Sequence, residues 1–148
     1  MKKIGFIGLG NMGSKMVIHL LKANYSVVGY DINEELIDQL STKGLKKAHD
    51  LIDVSKDNDI IIMMLPNGDI VEEALENIIG SLQPGTLITD CSTIDVNKSK
   101  ELHEKCKFKN LLFLDAPVSG GVGGAENGTL TFMVGGDENA YKIMSPLF

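Results

Sequence analysis

Three glycines, Gly8, Gly10 and Gly13, stand at G-x-G-x-x-G spacing in "GFIGLGNMG", between the apolar run that opens the chain and a segment of helical periodicity. In that context the first glycine permits a tight turn, the second leaves backbone bare for a pyrophosphate, and the third lets a helix pack closely on a strand. The helix N-terminus then offers unpaired N–H groups and partial positive charge to phosphate oxygens. A carboxylate follows at a telling distance: "GYD" closes the next apolar run, and Asp31 lies 18 residues beyond Gly13. There it can accept hydrogen bonds from both hydroxyls of an adenosine ribose and would repel a 2′-phosphate, which favours NAD over NADP. Asp31 followed by Asn33 equally suits a turn and helix cap without any ligand. A flavin or S-adenosylmethionine site could use a similar loop and acid, so these features alone do not name the ligand.

A second glycine-rich stretch, "DAPVSGGVGGAENGTL" from Asp115 to Leu130, places five glycines between Gly120 and Gly128 directly after an apolar run. Flexible linkers are rich in Ser and Gly, but they do not sit between apolar strands with Val118 and Val122 interleaved. The stretch therefore reads as backbone kept bare so that something can lie against it. His49 and His103 stand in polar, helix-like stretches and read as surface residues rather than proton shuttles. Cys91 and Cys106 form neither a metal nor a redox spacing and read as ordinary reduced residues of a cytoplasmic protein.

The elements that must hold these residues alternate along the chain. Lys2–Gly8, Ser26–Tyr30, Asp59–Leu65, Thr86–Asp90 and Leu111–Asp115 are short apolar, β-branched runs bounded by polar residues or glycine, the pattern of strands buried on both faces. Between them the pattern turns helical. From Asn11 to Ala23, the residues Met12, Met16, Leu20 and Ala23 form one apolar stripe, with Lys15 and Lys22 off it. Asn24 then stands where a helix ends in a left-handed residue. Asn33 and Asp95 suit helix N-caps, the first followed by acidic residues that the helix dipole favours. Leu130–Gly136 predicts one more strand, and "DENAYKIMSPLF" a last helix. Strand alternating with helix implies an α/β fold of Rossmann type: a doubly wound, mainly parallel sheet with helices on both faces.

Composition excludes several other classes. At 148 residues the chain has the length of one domain and can bury a substantial core. With 14 basic against 20 acidic residues the net charge is −6. The one small basic cluster, Lys98 to Lys109, is interleaved with Glu101 and Glu104 as on a solvated helix face, which argues against nucleic acid. The opening "MKKIGFIGLG" imitates an export signal, but Gly5, Gly8 and Gly10 break its apolar stretch. No run approaches the ~20 apolar residues of a membrane span.

Four separate blocks resemble the β-hydroxyacid dehydrogenases, the family of 3-hydroxyisobutyrate dehydrogenase and tartronate semialdehyde (2-hydroxy-3-oxopropionate) reductase. "GFIGLGNMGSKMVIHLLKANYSVVGYD" is similar to the family's cofactor fingerprint, "MMLPNGDIVEEAL" to the segment after its fourth strand, "DCSTID" to its D-x-S-T turn, and "FLDAPVSGGVGGAENGTLTFMVGG" to its substrate-binding signature. The last block is the most specific, because other Rossmann domains lack it. The resemblance implies that Gly8, Gly10, Asn11, Met12 and Gly13 wrap a pyrophosphate, Asp31 holds the adenosine ribose, Leu65 and Pro66 line the adenosine side, and Thr93 sits beside the nicotinamide and its ribose. It also implies that Ser119, Gly120 and Gly121 receive a substrate carboxylate, with a side chain at Gly120 or Gly121 filling the substrate's space.

Two departures accompany it. His19 replaces the asparagine usual in the family's first helix and flanks the apolar stripe, as a structural substitution would. The family's catalytic lysine lies in a G-x-x-x-K helix, and these 148 residues contain no such motif; Lys142 in "NAYKIM" does not match it. The resemblance thus implies the NAD(P)-binding half of an oxidoreductase acting on a short β-hydroxyacid, inactive without the lysine and without the family's all-helical C-terminal dimerisation domain. Surfaces that would meet that domain are candidates for homo-oligomer contact. A non-catalytic NAD-binding module is the rival reading. A methyltransferase-like domain is a third, and it leaves the S-G-G block unexplained.

Overall fold

The computed structural model describes all 148 residues, Met1–Phe148. The first half alternates as β1 (Lys3–Ile7), α1 (Gly13–Lys22), β2 (Ser26–Tyr30), α2 (Glu34–Ser41), β3 (Lys46–Lys47), α3 (Leu51–Ser55), β4 (Ile60–Met63) and α4 (Gly68–Ile78). It continues through β5 (Leu87–Asp90), α5 (Val96–Phe108), β6 (Leu112–Asp115), β7 (Val118–Ser119), α6 (Gly121–Asn127), β8 (Thr131–Phe132), β9 (Gly135–Gly136) and α7 (Glu138–Met144). The main sheet runs β3-β2-β1-β4-β5-β6-β9, parallel from β3 to β6, with β9 antiparallel on β6. This is the Rossmann strand order, with an antiparallel edge strand added.

Burial explains why the central strands read as unbroken apolar runs. Every residue of β4 and β5 is buried, because helices cover both faces. On one face Phe6 and Ile62 pack with Val17 and Leu20 of α1, Ile37 and Leu40 of α2, and Ala140 and Met144 of α7. On the other, Ile61, Met63 and Ile88 pack with Val54 of α3, Val71 and Leu75 of α4, and Leu102 and Cys106 of α5. The caps form as the sequence implies: Asn33 Oδ1 accepts the Glu35 N–H, Asp95 Oδ1 accepts those of Asn97 and Lys98, and Asn24 takes φ 64°. No helix is long and apolar enough to cross a membrane.

Three expectations need correction. The stripe of α1 is Gly13, Val17 and Leu20; Met12 precedes the helix and Ala23 lies exposed beyond it, because the close approach at Gly13 sets which face turns inward. The single strand expected over Leu130–Gly136 is split, because its two ends have different partners. Thr131–Phe132 pairs with β7 in a small second sheet, and Gly135–Gly136 pairs with β6. The basic cluster is not wholly a solvated face either. Lys98 and Lys105 reach across to α4, where both pair with Glu72 and Lys105 also meets Glu76 at 2.8 Å. Those lysine hydrogen bonds hold the half-buried Glu72 carboxyl down at about 2.

Candidate functional site

The carboxyl ends of β1, β2 and β4 open into a cavity of about 770 Å³, where a doubly wound sheet binds ligands. Gly8, Gly10, Asn11, Met12 and Gly13 line it together with Asp31, Leu65 and Pro66. Ile32, Ile70, Glu73 and Asn77 also line the wall; Ile70 and Glu73 fall in the quoted "MMLPNGDIVEEAL" without having been singled out, whereas Ile32 and Asn77 lie outside every block, and Ile32 is 92% exposed at the lip.

Each fingerprint glycine has a distinct physical reason. Gly8 sits at φ 98°, and a Cβ there would overlap the Met64 carbonyl oxygen. A Cβ on Gly13 would overlap the Gly8 carbonyl oxygen and lie 3.2 Å from the Phe6 ring, so α1 packs against β1 only while that position is bare. At Gly10 no atom stands within 4 Å of where a Cβ would be. Its bareness therefore faces outward, toward the cavity rather than the protein.

Asp31 is fixed before any ligand arrives. Its Oδ2 accepts the Leu9 N–H at 2.7 Å and its Oδ1 accepts the Asn33 N–H at 2.8 Å. The turn and the cavity wall are thus the same residue. A carboxylate has about four lone-pair sites, so acceptor capacity remains for a ligand.

Thr93 and Ser119–Gly121 stand apart from that cavity. Thr93 is exposed in the loop after β5, and Ser119 and Gly120 are exposed at the end of β7. Gly121 opens α6, so the stretch that suggested bare loop is a strand followed by a short helix. Gly120 takes φ 128°, which side chains rarely adopt, and its Cβ would press on Leu130 at 3.3 Å rather than enter open space. Of these two glycines, Gly121 is the one where a Cβ would meet nothing within 4 Å.

His19 has the structural role that its position suggests. Its Nε2 lies 3.0 Å from the carbonyl oxygens of both Ala125 and Glu126. Both partners are acceptors, so Nε2 carries the hydrogen and donates. His19 thereby ties α1 to the end of α6, beside an apolar cavity of about 330 Å³ that contains none of the expected ligand residues. His19→Ala is expected to cost about 1 kcal/mol in urea unfolding and to raise amide exchange in α6. Unchanged protection of α6 would show that the contact does not hold the helix. His49 is exposed and His103 stands edge-on to Phe113, both away from the cavity.

Beneath the loops, the first residues of two quoted stretches, "DCSTID" and "DAPVSGG", meet in a pairing that neither stretch announces. Asp90 and Asp115, in register at the ends of β5 and β6, are side by side, and Asp90 is fully buried. Burial pushes the Asp90 carboxyl up to about 6, partly offset by Ser92 hydrogen bonds and reinforced by the Asp115 charge; burial raises Asp115 too. Cys91 and Cys106 are buried free thiols, and burial raises Cys106 to about 12, which leaves it unreactive.

Sheet order, glycine turn and Asp31 together define a Rossmann-type dinucleotide-binding domain. Residues 3–148 match the family described as the NAD binding domain of 6-phosphogluconate dehydrogenase, and the chain belongs to that family. It is 42% identical over 151 residues to an NAD-dependent L-serine dehydrogenase of Pseudomonas aeruginosa, an alignment covering 100% of this chain and 51% of that protein. It is 43% identical over 144 residues to a probable mitochondrial 3-hydroxyisobutyrate dehydrogenase of Dictyostelium discoideum, covering 95% of this chain and 45% of that one. The solved 3-hydroxyisobutyrate dehydrogenase of Mycobacterium tuberculosis with L-serine superposes at a TM-score of 0.96 with 37% identity, over 99% of this chain and 50% of that one. The chain thus spans about half the length of these relatives.

Proposed function

We propose that this domain binds NAD(H) in the 770 Å³ cavity and serves an oxidoreductase that moves hydride between NAD and a short β-hydroxyacid. The observation that carries the proposal is the convergence of Gly8, Gly10, Asn11, Met12, Gly13, Asp31, Leu65 and Pro66 on that single cavity. The backbone from Gly10 to Gly13, at the start of α1, would hold the pyrophosphate. The remaining lone pairs of Asp31 would take the adenosine ribose hydroxyls, and its charge would repel a 2′-phosphate, favouring NAD over NADP. Leu65 and Pro66 would flank the adenosine. Bound there, NAD supplies a hydride acceptor. Thr93 would adjoin the nicotinamide, while Ser119 and the backbone at Gly120 and Gly121 would receive the substrate carboxylate.

The names of the relatives support that substrate class. L-Serine and 3-hydroxyisobutyrate each carry a carboxylate and a hydroxyl on the β-carbon, and those names belong to proteins that this chain matches over nearly its whole length. The proton of the hydroxyl needs a base, and the resemblance assigns it to a lysine in a G-x-x-x-K helix, a motif absent from this sequence. Hydride transfer would accordingly require the all-helical domain that the family adds.

A fluorescence titration with NADH and with NADPH tests the reading, and the chain contains no tryptophan to interfere. NADH is expected to bind more tightly than NADPH, and Asp31→Ala to weaken NADH about tenfold or more, the worth of a charge-assisted hydrogen bond or two. Failure of both cofactors to bind at millimolar concentration would overturn it.

A further inference from the structure

Three loops rise above the sheet, after β4, β5 and β6, and a chain of hydrogen bonds through two buried residues, Asp90 and Ser92, reaches all of them. Asp90 Oδ1 accepts the Ser92 N–H at 3.0 Å. Ser92, itself wholly buried, accepts the Leu65 N–H on its Oγ at 2.8 Å. The Asp90 carbonyl oxygen accepts the Ala116 N–H at 2.8 Å. Leu65 begins the wall of the cavity, Thr93 follows Ser92 directly, and Ala116 leads into Ser119.

A carboxyl is a costly choice for this place. Asp90 Oδ2 and Asp115 Oδ1 are both buried without a hydrogen-bond partner, and buried unpartnered polar atoms are rare in folded proteins. An apolar residue would pack there without that cost but would leave the Ser92 N–H unpaired. A serine hydroxyl at position 92 is likewise the sole side-chain acceptor for the Leu65 N–H, whose loop has left the sheet ladder.

We propose that Asp90 is a positioning residue: through Ser92 it locks the loop bearing Thr93 to the loop bearing Leu65 and Pro66, so that the two ends of a bound dinucleotide meet walls held in one frame. Asp90 touches neither cofactor nor substrate; it acts through Ser92 and Leu65. The inference rests on the NAD reading for its ligand, but the bond chain exists in the protein alone.

The experiment separates the two. Amide exchange is followed in the ligand-free chain for wild type, Asp90→Ala, Asp90→Asn and Ser92→Ala. Both alanine variants are expected to speed exchange at Leu65 about tenfold or more while leaving β1 unchanged, and Asp90→Asn, which keeps an oxygen acceptor, to restore protection. Equal exchange at Leu65 in Ser92→Ala and wild type overturns the proposal, as does a uniform rise across the sheet. Should Asp90→Ala not fold, Ser92→Ala carries the test. In a second arm NADH, which spans both walls, is compared with ADP-ribose, which lacks the nicotinamide. The alanine variants are expected to lose affinity for NADH about tenfold and for ADP-ribose less than about twofold. Equal losses for the two ligands overturn the coupling of the walls. Wild-type protein that binds neither ligand overturns the NAD reading, and the exchange arm still decides the bond chain.

Discussion

Gly13→Ala is expected to destabilise the domain by about 3 kcal/mol or more, at the upper end of what overpacking costs. The added methyl would overlap the Gly8 carbonyl oxygen, a backbone atom that cannot rotate away. Either α1 moves off β1, opening the packing of Val17 and Leu20 on Phe6, or the turn at Gly8 distorts. In a domain of this size such a loss lowers the thermal midpoint by roughly 6–12 °C. Gly10→Ala is the informative partner. No atom lies within 4 Å of its added carbon, so its stability should change by less than about 0.5 kcal/mol, while NADH affinity is expected to fall, since on the proposed reading the methyl would stand where the pyrophosphate approaches. Thermal unfolding and NADH titration of both variants check the pair. A stable Gly13→Ala, or an unstable Gly10→Ala, would show that the two glycines are wrongly assigned to fold and ligand.

Stability should also rise as the solution is acidified from neutrality, the reverse of ordinary acid denaturation, and Asp90 is the cause. Its carboxyl titrates at about 6 in the folded chain against 3.8 when free. Above about 6 the group is charged in both states and the folded chain bears the full cost of burying it. Between about 6 and 4 the folded state takes up a proton that the unfolded state does not, so stability increases as pH falls through that window. The full span is worth up to about 3 kcal/mol. Glu72 works in the opposite sense and lower down. Its lysine partners hold it at about 2 against 4.5 when free, so its contribution is full above about pH 4.5 and is lost progressively as the pH falls from there toward 2. Urea unfolding at pH 4.5 and 7.5 should therefore show a gain at the lower pH in wild type that is flattened in Asp90→Asn. A slope that survives the substitution would move the effect to another group.

The parts of this arrangement that were legible in the sequence are those with a local cause. Strands buried on both faces announce themselves as apolar runs, and the glycine turn and Asp31 sit at spacings dictated by a single βαβ unit. What escaped reading depends on contacts between distant segments. α3 is only five residues long, too short for a periodic signal, and β3 is a pair of lysines whose hold on β2 is two residues of ladder and the bond from Lys46 Nζ to Ser26 Oγ. The split of Leu130–Gly136 follows from which strands lie beside its two ends. In the candidate site, Ser92 lay within the quoted "DCSTID", but its bond to Leu65 joins residues 27 apart. The helix at Gly121 was hidden by its composition, since glycines argue against helix and α6 is held from outside by His19.

The two lysines of β3 have a meaning for the molecule in company. An outermost strand leaves a row of unpaired amides and carbonyls, a template on which another chain can zip. Here one border of the sheet is two residues long and carries the exposed side chains of Lys46 and Lys47, the second paired with Asp38, so a second copy docking there would have to bury lysines and disturb an ion pair. The opposite border is the equally short Gly135–Gly136, running against the grain of its neighbour. Neither margin offers the length for ribbon growth, and selvedges cut this short leave the apolar interior of the sheet little border on which another chain could extend it.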